Sequence, residues 1–71
     1  MDEIEYDRGV VRAYDTFKGF GFIRRDKGRD VFFFYDDVED QENGLIVGDL
    51  VGFEVKKAPK GPRAYKLVRL G

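Results

Sequence analysis

The 71-residue chain contains no cysteine, histidine, tryptophan or serine. Without cysteine there is no disulfide and no thiolate metal site. Without histidine the commonest general base and metal ligand is missing. With neither serine nor cysteine, no nucleophile–base constellation of the hydrolase kind can be assembled. No apolar run is long enough to span a membrane. Met1-Asp2-Glu3 is acidic where a secretory signal would be basic. These absences set the expectations: no enzyme, no cofactor, no small-molecule substrate, no membrane contact, and a cytoplasmic location. The length predicts one domain over residues 1–71, with a core of modest size.

Metal and dinucleotide chemistry also lack a pattern. Asp36, Asp37, Glu39 and Asp40 cluster in sequence but lack the glycine-punctuated spacing of a calcium loop. No metal is expected there. Gly19-Phe20-Gly21 lies in a strand-like run and not ahead of a helix, so it is no phosphate-cradling turn.

What is present is an aromatic pairing. Residues 18–23 read Lys-Gly-Phe-Gly-Phe-Ile, and residues 31–35 read Val-Phe-Phe-Phe-Tyr. Alternate side chains of a strand share a face. Lys18, Phe20 and Phe22 then point one way, and Gly19, Gly21 and Ile23 the other. In the second run Phe32 and Phe34 share a face opposite Val31, Phe33 and Tyr35. An antiparallel sheet in a small domain buries one face. Ile23, Val31 and Phe33 suit the core, which leaves Phe20, Phe22, Phe32 and Phe34 exposed beside Lys18. So many close aromatics cannot all fit inside so small a domain. Adjacent exposed aromatics next to a cation suit the bases and phosphates of a single-stranded nucleic acid.

The net charge of −1 hides a strong segregation. Residues 1–7 hold four acids and no base, and residues 8–29 hold seven bases and two acids. Residues 30–54 hold eight acids and no base, and residues 55–71 hold six bases and no acid. Acidic and basic strands pairing with each other explain part of this. They do not explain why bases flank the aromatic runs, and the local field matters more to a ligand than the total. For Arg24, Arg25, Lys27 and Arg29, plain solvation and an electrostatic contribution both remain open.

Turn signals cut the rest of the chain into short segments. A first strand is predicted from Ile4 to Tyr14. Asp15-Thr16-Phe17 is a tight connection, and Asp26-Lys27-Gly28-Arg29 a hairpin loop. Glu39 to Gly44 reads as an acidic surface loop, and Leu50 to Val55 as a strand. Pro59-Lys60-Gly61-Pro62 reads as a loop that no strand runs through. Arg63 to Leu70 is the last strand. Five strands without a helical period predict an all-β, five-stranded antiparallel barrel of the OB type, which closes its own edges. The predicted core is Val11, Ile23, Val31, Phe33, Val38, Val51, Phe53 and Leu67. Two glycines inside the aromatic strand point to sharp coiling or a close backbone approach.

The chain resembles the cold-shock domain family. The matching residues are Gly9-Val10-Val11-Arg12, Lys18 to Ile23, Asp30-Val31-Phe32 through Val38, Gly48 with Val51 and Phe53, and Lys60-Gly61-Pro62. The Lys-Gly-Phe-Gly-Phe-Ile string also fits the signature strand of an RRM. An RRM, however, needs its second aromatic strand upstream and two helices around it. The resemblance implies a five-stranded OB barrel that binds single-stranded RNA or DNA with little sequence demand. It implies a nucleic-acid site at Arg12, Tyr14, Lys18, Phe20, Phe22, Phe32, Phe34 and Tyr35, with Lys60 and Arg63 flanking the groove. It further implies an RNA-chaperone role without ATP.

The departures carry their own expectations. Ala13 stands where the family usually has Trp, Phe34 where it has His, and Tyr14 and Tyr35 where it has Phe. Asp36 replaces a small hydroxyl residue, and the 39–44 loop is shorter and acidic. Ala13 is expected to weaken binding, Phe34 to keep a stacking face, and Asp36 and Asp37 to repel phosphate if they border the groove. For Tyr14 and Tyr35, base contact and rim packing with a wet hydroxyl stay open, as does the role of Phe17. The competing functional reading is a protein-interaction or self-associating module on the same barrel. A monomer is expected, with a homodimer as the alternative.

Overall fold

The computed structural model describes residues 5–71. The expected start at Ile4 and the acidic Met1–Glu3 lie outside the described residues. Five strands are present among the described residues: β1 (Glu5–Asp15), β2 (Phe20–Arg25), β3 (Val31–Phe34), β4 (Leu50–Ala58) and β5 (Gly61–Arg69). A single 3-10 turn, Tyr35–Asp37, follows β3. The strands close into a barrel in the order β1-β2-β3-β5-β4.

The expectation of an all-antiparallel barrel needs one correction. β3 and β5 pair in parallel through Phe32 and Arg63, continued by an isolated parallel bridge between Val38 and Leu67. The reason is geometric. An odd number of strands cannot alternate direction all the way round a closed ring, so one neighbouring pair must run the same way. Here it is the pair that seals the barrel.

Several boundaries also differ from the sequence reading, among them that of β4, which continues past the expected Val55 to Ala58. Lys18 and Gly19 are not in a strand. Thr16 to Gly19 form a turn, in which the Asp15 carboxylate accepts the backbone N–H groups of Phe17 (3.1 Å) and Lys18 (3.0 Å). Gly19 sits at φ +77°, a conformation that suits glycine. Tyr35 leaves the strand for the 3-10 turn instead of continuing its alternation. Gly61 and Pro62 belong to β5, where Pro62 lies opposite Lys57, and only Pro59-Lys60 form the connecting turn. Proline is tolerated there because it stands at the start of the strand.

Two bulges reset which side chains face inward. Val11 pairs with Ile23, yet Ala13 pairs with Phe22, so Arg12 is an extra residue in β1. Gly52 pairs with Val68 and Glu54 with Tyr65, which places an extra residue in β5. Lys66, at φ +52°, is the non-glycine residue with positive φ there.

The core holds all eight expected residues and adds Leu45, Val55 and Ala64. Leu45 pins the long connection between β3 and β4 against the barrel. Phe33 is the largest fully buried side chain. It fills the space under Gly21, where an added Cβ would lie 2.7 Å from the Phe33 ring and 2.3 Å from the carbonyl oxygen of Ala13. The close approach expected at this glycine is therefore present. Gly52 is different, since a Cβ there would meet only the Leu70 side chain, at 3.4 Å. Gly21→Ala should lower stability by about 1–3 kcal/mol or more through overpacking against backbone. Gly52→Ala should change it by no more than about 0.5 kcal/mol. Urea denaturation of both variants beside the parent checks the pair.

Candidate nucleic-acid interface

The β2–β3 ladder pairs Phe20 with Phe34, Gly21 with Phe33, and Phe22 with Phe32. Because directly opposed residues share a face, burying Gly21, Ile23, Val31 and Phe33 leaves the four other phenylalanines outside. Phe22 and Phe34 are exposed at 42% and 40%, and Phe20 and Phe32 are half-buried. Phe20 meets Phe22 edge-on at 6.1 Å between ring centroids, and Phe32 meets Phe34 edge-on at 5.7 Å. Edge-to-face contact of this kind is a favoured aromatic arrangement. Phe20, Phe22, Phe32, Phe34 and Lys60 line one groove.

The remaining expected site residues are placed as follows. Lys18 is exposed in the β1–β2 turn and makes no ion pair among the described residues. Arg12 is exposed at the bulge, its Nη1 2.7 Å from the Asp30 carboxylate. Tyr14 is turned inward. It pairs with Gly21 across β1–β2 and its ring lies 5.1 Å from that of Phe33. The bulge at Arg12 is the cause, because it moves Ala13 to the outer face beside Phe22 and Tyr14 to the inner one. Tyr35 is exposed, with its ring next to Gly19 and outside the groove lining. Phe17, at the tip of the turn, is 98% exposed.

Arg63 is half-buried and engaged on three sides. Its Nη2 donates to both Asp37 carboxylate oxygens, at 3.1 and 3.0 Å. Its guanidinium carbon lies 4.4 Å from the Phe34 centroid and 4.5 Å from the Tyr65 centroid. The repulsion expected from Asp37 is thus offset by a bound cation, whereas Asp36 stays exposed without such a partner among the described residues. Asp40 is held by Asn43, whose side-chain amide and backbone N–H both donate to it and lower its pKa. No group of three or more acidic residues placed to hold a metal occurs among the described residues.

Two members of this face were not legible as such. Tyr65 follows Arg63 by two residues on β5 and lies against its guanidinium, so it extends the aromatic row from β2 and β3. Lys56 lies opposite Arg63 on β4, with its ammonium 5.2 Å from the Tyr65 centroid. Their signal was the period-two spacing of Arg63 and Tyr65. It pointed to a face only once the parallel β3–β5 pairing was known.

Comparison with known proteins identifies the family and the fold. Residues 7–70 match the model of the 'Cold-shock' DNA-binding domain. The chain belongs to the cold-shock domain family. It is 42% identical over 66 residues to the retron Se72 cold shock-like protein of Salmonella heidelberg, covering 90% of this chain and 98% of that one. It is 41% identical over 58 residues to a cold shock-like protein of Thermotoga maritima, covering 80% and 88%. The major cold shock protein of Streptococcus pyogenes is 36% identical over 66 residues, covering 89% and 96%. Among solved structures, the drosophila protein Unr (CSD456) superposes with a TM-score of 0.80 at 24% identity, a likeness of fold. That match covers 94% of this chain and 27% of the longer one. Cold-shock domains are nucleic-acid-binding modules, and no helix among the described residues of this one is long and apolar enough to cross a membrane.

Burial of Tyr14 in this cold-shock domain raises its phenol pKa above the ordinary 10.0. The folded state therefore holds that proton longer than the unfolded chain does. The associated stability is complete below pH 10 and declines as the pH rises through the elevated folded value. Tyr14→Phe should flatten part of the alkaline loss of stability while leaving stability near neutrality within about 1 kcal/mol. Denaturation midpoints measured from neutral pH to above 10 check this.

Proposed function

We propose that this cold-shock domain binds single-stranded RNA or DNA by stacking bases on Phe20, Phe22, Phe32 and Phe34 while lysines neutralise the phosphates. By holding strands unpaired it disfavours RNA secondary structure, the action of an RNA chaperone that needs no ATP. One observation carries the reading: four phenylalanines on one outer face of a closed barrel, lining a groove with Lys60. Every base offers a π-face, so such a platform tolerates many sequences. The paired bases of a duplex keep their faces stacked on one another, which favours single strands here.

Charge supports the same assignment. Among the described residues Lys18, Lys56, Lys57 and Lys60 make no ion pair. Positive charge is thereby left available despite a net charge of −1. Ala13, on the outer face beside Phe22, offers no ring. It favours the competing reading of a protein-interaction module and lowers the affinity expected of the groove. Sedimentation showing a monomer at all concentrations counts against self-association through the aromatic face.

Fluorescence anisotropy of a labelled pyrimidine-rich oligonucleotide tests the proposal directly. Saturable binding that weakens with salt and is absent for duplex is expected; no binding at low salt rejects it. Phe22→Ala and Phe32→Ala should each weaken binding by about 1–3 kcal/mol with the far-UV circular dichroism unchanged. Parental affinity in both variants would remove the stacking mechanism. Lys60→Ala should reduce the dependence of log K on log salt by about 0.7, the loss of one single-strand phosphate contact. An unchanged slope would place Lys60 off the backbone.

A further inference from the structure

One face of Phe34 is already occupied. The guanidinium of Arg63 lies between the rings of Phe34 and Tyr65, at 4.4 and 4.5 Å from their centroids. A guanidinium is flat, delocalised and prone to stack on aromatic faces, as a nucleobase is. What holds it there is Asp37. Arg63 Nη2 donates to Oδ1 at 3.1 Å and to Oδ2 at 3.0 Å, and Nε donates to Oδ2 at 3.3 Å. Oδ2 also accepts the backbone N–H of Phe34 at 2.8 Å. One carboxylate thus holds both the backbone of Phe34 and the cation that covers its ring. The pair is well shielded, with the side chains of Arg63 and Asp37 exposed by 23% and 9%. Shielding strengthens such a contact relative to a surface ion pair.

We propose that Asp37 sets the nucleic-acid affinity of this domain by latching Arg63 into the Phe34–Tyr65 slot. While latched, Arg63 is withheld from phosphate, and the facing surfaces of Phe34 and Tyr65 are withheld from a base. Released, the same side chain supplies a cation at the rim of the groove and opens a slot for one further base of a single strand. The inference rests on the stacking platform proposed above and assigns Arg63 a state that a simple groove-flanking residue would not have.

Salt titrations of oligonucleotide binding separate these roles. Asp37→Asn keeps an oxygen that accepts the Phe34 N–H but removes the charge that holds Arg63. It should tighten binding at low salt by roughly tenfold, the scale of one charged hydrogen bond. It should also steepen the slope of log K against log salt by about 0.7. In an Arg63→Gln background the same Asp37→Asn change should leave the slope where it was. Equal steepening in both backgrounds would reduce Asp37 to a repelling charge and overturn the latch. An unchanged slope in the Asp37→Asn single variant would overturn it as well. If Asp37→Asn does not fold, Asp37→Ser, which also accepts the Phe34 N–H, gives the same two readouts. Failure of the latch shows in these differences with the parent still binding. Failure of the parent to bind at low salt rejects the platform itself, and the latch with it.

Discussion

Phe33 filling the space beneath Gly21 is the constraint from which the exposed aromatic face follows. Phe33 is the largest fully buried side chain of the barrel. It fits only because its ladder partner has no Cβ. Once Phe33 points inward, the two-residue period of the strand sends Phe32 and Phe34 outward. The same period sends Phe20 and Phe22 outward on either side of Gly21. Core packing and the exposed aromatic face are therefore two sides of one hairpin.

Charge is divided by side-chain type. Each arginine that makes an ion pair, at positions 8, 12, 25, 63 and 69, is tied to a neighbouring strand or loop. Most lysines are left without such partners among the described residues. Arginine's forked guanidinium suits fixed, multidentate contacts, while the lysine ammonium is a flexible point charge. The segregation seen along the chain thus resolves largely into arginines that brace the barrel and lysines left for solvent, with Lys66, paired to the buried Glu54, as an exception. Exposed pairs such as Arg8 with Asp26 add little to stability. Arg63 with Asp37, set between two rings, is the pair whose position matters to the groove.

The sequence was most legible where alternation is unbroken. Between Phe20 and Ile23, and between Val31 and Phe34, the inward and outward sets follow from period two alone. The eight expected core residues all lie inside. Legibility failed at the bulges. Arg12 adds one residue to β1, which carries Tyr14 to the side of Phe33 and Ala13 to the side of Phe22. No local residue type announces that insertion. The extra residue in β5 broke the alternation in the same way, so that Ala64 joins the expected Leu67 in the core without a simple period-two link. Tyr65 escaped notice for a different reason. Its place beside Phe34 depends on a parallel contact between strands distant in the chain, and such pairing leaves no local pattern. The boundary at Pro62 was misread because proline is excluded from strand interiors but not from their first residues.

The strand order also dictates when the barrel comes into being. β1, β2 and β3 are neighbours both in the chain and in the sheet, so their meander needs only local contacts. Its free edges do not. β1 finds its second partner in β4, and β3 finds its partner in β5, across the long 38–49 connection. Non-local pairings of this kind slow folding, because chain ends must be brought together before the contacts reward it. During synthesis the aromatic hairpin therefore emerges well before the strand that seals it. For that interval its inner face, with Phe33 and Ile23, is as open to the surroundings as the outer one. The last nine-residue strand, Gly61–Arg69, ends that interval by covering the inside of the sheet and leaving only the outer rings on display.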